Sequence, residues 1–157
     1  MRRSLTPVII RDGVHEHPAV RAWRSLHPDA TPPDLIKMLK RPKRGRGEGR
    51  GGVYLLHGLG PNGSHLVAKD CLAEDAAGER ASYEEVLPGL SVPCLRYHGW
   101  HPHRDGCGGW LFAQEASGAK FDKRDRGHRS LAAKWLGVLH AETLGRQAET
   151  NLPTRTS

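Results

Sequence analysis

Hydrophobic positions fall into short runs punctuated by glycine, proline and polar clusters, and only late in the chain into a helical stripe. Asp34-Leu35-Ile36-Lys37-Met38-Leu39, Val53-Tyr54-Leu55-Leu56 and Leu66-Val67-Ala68-Lys69 are each of strand length, and Pro61-Asn62-Gly63 between the last two is a turn signal. Tyr83, Val86 and Leu87 stand at i, i+3 and i+4 and predict a helix over 75–87, stopped at Pro88. Cys94-Leu95-Arg96-Tyr97 and Trp110-Leu111-Phe112-Ala113-Gln114 read as two further strands joined by a loop rich in histidine and glycine. Leu131, Trp135, Val138 and Leu139 predict a helix from Arg129 to Leu144, with Gly145 as its cap. Upstream, Val20, Trp23 and Leu26 fit a short helix over 19–26 before His27-Pro28-Asp29, and residues 1–30 otherwise show no sustained period. Strand, glycine-rich turn, strand, tight turn, strand reads as an antiparallel meander. The expected fold class is therefore α+β, an antiparallel sheet of about five strands with one packed helix, then the start of a helical segment.

Composition narrows the setting. The 157 residues suffice for one domain with a core, and no apolar run is long enough to span a bilayer. The N-terminal apolar stretch is broken by Pro7 and followed by Arg11-Asp12-Gly13, which is unlike a secretory signal, so a cytoplasmic protein is expected. Three cysteines, an odd number, argue for reduced thiols. The net charge of +7 is local: within 37–52, Lys37, Lys40, Arg41, Lys43, Arg44, Arg46 and Arg50 face Glu48 alone.

Three features in that frame carry chemistry. Gly47-x-Gly49-x-x-Gly52 lets backbone N–H groups approach a polyphosphate. A strand follows it rather than a helix, which is the arrangement that covers phosphates in kinases. Leu66-Val67-Ala68-Lys69 is close to the V-A-I-K strand signature, and alternation sets Val67 and Lys69 on one face. Glu79 lies four residues before Tyr83 and seven before Val86, on the apolar side of the helix that follows, where a kinase places the glutamate paired to its lysine.

Together with Val92-Pro93-Cys94-Leu95-Arg96-Tyr97-His98-Gly99, Trp110 to Gly118 and Trp135-Leu136-Gly137-Val138-Leu139-His140-Ala141, these motifs resemble the aminoglycoside phosphotransferase and choline kinase group over residues 35–142. The resemblance implies a kinase-like small lobe with its hinge over 34–118, preceded by a partly disordered extension over 1–33. It also implies the first helical segment of a larger lobe over 119–145 and a disordered tail over 146–157. The implied ligands are ATP and Mg2+. Gly47, Gly49 and Gly52 would cover the phosphates, Lys69 would bind them, Glu79 would hold Lys69, Val67 would lie under the base, and backbone groups of Gln114 and Ala116 would meet the adenine edge. The family reaction transfers phosphoryl from ATP to a substrate hydroxyl.

The family's His-Gly-Asp motif occurs nowhere in the sequence. Asp105 stands in a superficially similar His103-Arg104-Asp105, and Asp122 and Asp125 read as solvated charges, so no catalytic residue is assigned. The expectation is a catalytically incomplete fragment, with the stripe Leu131, Trp135 and Leu139 left exposed for self-association or a protein partner. Two non-enzymatic alternatives remain at this point. Cys94, His98, His101, His103 and Cys107 could hold zinc, although their spacing matches no common finger. The Arg/Gly run over 40–52 could bind nucleic acid, although few aromatic residues interleave with its arginines.

Overall fold

The computed structural model describes residues 6–43, 51–116 and 120–144. Its strands are β1 Val8–Ile10, β2 Ile36–Lys40, β3 Val53–Leu56, β4 Leu66–Leu72, β5 Tyr97–Pro102 and β6 Gly108–Gln114; its helices are α1 Pro18–Leu26, α2 Ala73–Ala81 and α3 Arg126–Thr143. The fold is α+β, with one antiparallel sheet of six strands in the order β1-β2-β3-β4-β6-β5. Two compact units divide the chain, residues 1–76 with 96–115, and residues 77–95 with 116–157. The whole sheet and α1 belong to the first. Among the described residues no helix is long and apolar enough to cross a membrane.

Alternation along β4, which pairs with β3 and β6, separates two packing layers of the first unit. Leu66 and Ala68 are buried on one face, where Ile36, Tyr54, Leu56, Trp110 and Phe112 meet Val20 and Trp23 of α1. On the other face Cys71, Leu111 and Ala113 pack with Ala76 from the first turn of α2, flanked by Tyr97 and Trp100. Helix α1 begins where His17 Nδ1 accepts the Ala19 N–H at 3.2 Å and Pro18 occupies the first turn. Its apolar face places Trp23 edge-on to Phe112, with ring centroids 5.2 Å apart.

Several elements differ from those the sequence predicts. The segment expected as a partly disordered extension supplies β1, in register with β2 through Val8–Met38, Ile9–Lys37 and Ile10–Ile36, whereas the helix expected over 19–26 is present as α1 and covers the core. A three-residue edge strand after Pro7 is too short to display a period. Cys94-Leu95-Arg96 precede β5 rather than forming it, and the histidine- and glycine-rich segment is mostly strand. Glycine serves close approach here. A β-carbon on Gly109 would lie 2.5 Å from the His101 carbonyl oxygen and 2.6 Å from the Trp100 ring. Gly99, with φ +124°, marks a register shift between β5 and β6.

Helix α2 starts at Ala73, before the expected Asp75, and ends its α-helical part at Ala81. A π turn over Ser82–Val86 and a 3-10 turn over Leu87–Gly89 continue it. Ala81 and Val86 are both buried in the second unit; they are five residues apart, and the i→i+5 repeat of a π turn keeps that spacing on one side. In the same unit Asp125 caps α3 by accepting the His128 N–H at 2.9 Å, and that bond above all holds its carboxyl below the usual range. Trp135 Nε1 donates to the Pro93 carbonyl at 2.7 Å, and Ser91 bonds Glu142 through both its N–H and its hydroxyl. Of the stripe expected to be exposed, Leu131 is exposed while Trp135 and Leu139 are half-buried.

Phe112 is fully buried at the contact between sheet and α1. Phe112→Ala is expected to destabilise the protein by about 3–5 kcal/mol, read as a lower urea midpoint at unchanged slope.

Candidate functional site

The first unit gathers its polar chemistry around β4. Val67 and Lys69 share a face, opposite Leu55 and Val53 of β3 and opposite Ala113 and Leu111 of β6. An apolar strip therefore runs along the sheet toward one ammonium group. After Lys40 the chain leaves β2, and it returns at Gly51 with a left-handed φ of +83°, a conformation that suits glycine. A β-carbon on Gly51 would lie 3.9 Å from the Lys43 backbone nitrogen, so the outgoing and returning limbs of this connection run close together.

The returning limb is tied to the strand beside Lys69. Gly51 N–H donates to the Asp70 carbonyl and Asp70 N–H donates to the Gly52 carbonyl, each at 2.9 Å. Gly52 is buried against Tyr54, whose ring and hydroxyl would lie 2.8 Å from any β-carbon there, so glycine is required by space. Lys40, Lys43 and Lys69, with Gly51, Val53, Asp75 and residues 70–72 of β4, line a recess of about 170 Å³.

Behind that recess lies a buried carboxylate. Asp70 is 1 % exposed, and His103 Nε2 stands 2.7 Å from its Oδ1. An ionised carboxylate only accepts, so the imidazole donates from Nε2. Burial first, and the Asp70 charge second, raise the Tyr54 phenol above its ordinary range. His17, edge-on to Tyr54 with ring centroids 4.7 Å apart, is lowered by burial. His98 is lowered by burial first, then by the charges of Arg96 and His27. Its Nε2 and the Trp23 indole N–H are buried without a hydrogen-bond partner among the described residues.

The positions expected from sequence are distributed as follows. Gly47 and Gly49 lie outside the described residues, whereas Gly52 sits at the foot of the connection. Lys69 lines the recess, and Val67 lies two residues before it on the same face. Glu79 is half-buried on α2 in the second unit, one residue before Arg80, which pairs with Glu84 at 3.4 Å. Gln114 N–H donates to the Arg96 carbonyl at 2.8 Å, so of its backbone groups only the carbonyl can serve the adenine edge. Ala116 is exposed and belongs to the second unit.

Comparison with known proteins adds no relative: no family model, no curated protein and no solved structure matches this chain. The site therefore rests on its own geometry. The zinc alternative is not assembled, because among the described residues no three His, Cys, Asp or Glu side chains gather around a common point. His98 turns toward Trp23, His103 is held by Asp70, and Cys107 Sγ lies 3.5 Å from the Asp105 carbonyl. Asp105 itself is a turn residue, its Oδ1 accepting the Cys107 N–H at 2.9 Å. The recess lysines fit a polyphosphate. Its two acids, Asp70 and Asp75, do not fit the magnesium of family phosphoryl transfer, since Asp70 is buried and bonded to His103.

Sequence reasoning missed Lys40 and Lys43 as partners of Lys69, and it missed Asp70 with His103. The signal for Asp70 was present: continuing the alternation of Leu66 and Ala68 puts it on the buried face. Ending the strand at Lys69 concealed it.

Because His17 and His98 titrate lower in the folded protein than in the unfolded chain, only the unfolded chain takes up protons just below the ordinary histidine range. Stability should fall with pH there. The urea midpoint is expected to be lower at about pH 5.5 than at about pH 7.5, and His98→Gln together with His17→Asn, which keeps a capping acceptor, should flatten that dependence.

Proposed function

We propose that this chain is a nucleotide-binding small lobe of the aminoglycoside phosphotransferase type, gripping ATP by its phosphates. One observation carries the reading: Lys69 shares a recess with the foot of the glycine-rich connection. Counted from Ile36, Lys69 stands on the third strand of an antiparallel meander whose first connection is the glycine-rich one. A helix bearing Glu79 follows that strand directly. Kinases use this order for the phosphate cover, the phosphate lysine and its glutamate.

Val67, half-buried on the same face as Lys69, would lie against the base, next to the charged recess. At about 170 Å³ the recess is smaller than the roughly 300 Å³ at which whole-ligand pockets begin, so it suits the phosphate end rather than an entire nucleotide. In the first unit the Gln114 carbonyl would meet the adenine edge. These groups bind and neutralise charge; none of them is placed to move a proton to or from a substrate hydroxyl. Use of ATP fits a cytoplasmic location.

Saturating ATP is expected to raise the melting temperature by several degrees, since ligand at ~100 times Kd stabilises by about 2.7 kcal/mol. Lys69→Ala should abolish the shift, read against that variant's own unliganded melting curve. A wild-type protein that melts identically with and without millimolar ATP would refute the reading.

A further inference from the structure

Lys69 is one of three lysines on the recess, and the other two come from different parts of the chain. Lys40 ends β2, Lys43 lies on the outgoing limb of the connection, and Lys69 sits on β4. Each ammonium group carries three donors on a long flexible stem, and phosphate oxygens are strong acceptors for such groups. Of the two acids that line the recess, Asp70 is buried with its Oδ1 on His103, and only Asp75 is exposed. In metal-dependent kinases, magnesium held by acidic and amide side chains bridges the β- and γ-phosphates and neutralises them. In this recess the positive charge is supplied by amines, and the carboxylate set suited to magnesium is lacking among the recess residues.

We propose that the recess binds polyphosphate directly through Lys40, Lys43 and Lys69 without a divalent cation, Asp75 acting as a competing anion rather than a metal ligand. The adenosine half of the ligand rests on the nucleotide reading above; the anion site does not. Magnesium complexation takes charge off the phosphates and shields the oxygens the lysines need, so the free polyphosphate is the preferred form. Asp75 opposes the same anion by like charge, and neutralising it strengthens binding.

The test is titration calorimetry of the full chain with ATP, adenosine and inorganic tripolyphosphate, each in EDTA and in excess Mg2+. ATP and tripolyphosphate are expected to bind in EDTA at least as tightly as with Mg2+. K40A/K43A should weaken both in EDTA by roughly tenfold or more, about 1.4 kcal/mol or more, without changing the unliganded melting curve. R21A/R24A, which removes the same charge from the outer side of α1, should change neither, and Asp75→Asn should tighten both. Binding of ATP only as its magnesium complex, or weaker binding in Asp75→Asn, overturns the proposal and leaves the nucleotide reading standing. Tripolyphosphate bound in EDTA as tightly as ATP, with K40A/K43A weakening both, upholds the anion site and removes the nucleotide reading. Failure of both anions to bind removes both.

Discussion

The side-to-side alternation of β4 is the constraint on which the rest depends. Asp70 and Lys69 are neighbours, so one must face the α1 layer when the other faces the recess. The register is held from both sides, by β3 through Val53–Lys69 and by β6 through Lys69–Leu111. A slip of one residue would drive an ammonium group into a layer of Phe112, Trp110 and Leu56 and lift the buried carboxylate off His103. Both changes are penalised heavily, as burial of an unpaired charge is. The lysine is thus aimed by the cost of every other arrangement.

The same strand explains why the foot of the glycine-rich connection can be built accurately. Backbone bonds from Gly51 and Gly52 to Asp70 extend the β3–β4 ladder past the last paired residues. Gly52 then lies flat on Tyr54, and the Tyr54 ring is held in turn by Trp110 and His17. The edge facing the recess therefore stands on a packed aromatic layer, which limits how far its backbone can move. A basic, glycine-rich run of sequence ends in an attachment fixed by backbone hydrogen bonds.

Much of the fold was legible in the sequence, for identifiable reasons. Val53–Leu56 and the start of β4 were readable because branched and aliphatic residues fill them and a Pro-Asn-Gly turn separates them. The facing of Val67 and Lys69 follows from period two alone. Strand β1 was not legible, since three residues carry no period, and β5 was obscured because its glycines and histidines mimic a loop while serving close approach to β6. Of the site, Lys69 and Gly52 could be found from local motifs. Lys40, Lys43 and His103 could not, because their relation to β4 depends on tertiary closure rather than on spacing along the chain.

Strand order carries one further consequence, for the order of assembly. The pairings β1–β2, β2–β3 and β3–β4 join sequence neighbours, and so does β5–β6. Two pairings are non-local, β1–β2 across residues 11–35 and β4–β6 across residues 73–107, and the second closes the longer span. Closing a long loop is entropically slow, and non-local pairings set the pace of folding. The chain therefore has two quickly formed pieces, the meander of β2, β3 and β4 and the hairpin of β5 and β6, and a late seam between them. That seam runs along Lys69 and Asp70, so the strand bearing the site belongs to the early piece and acquires its final surroundings only in the last step.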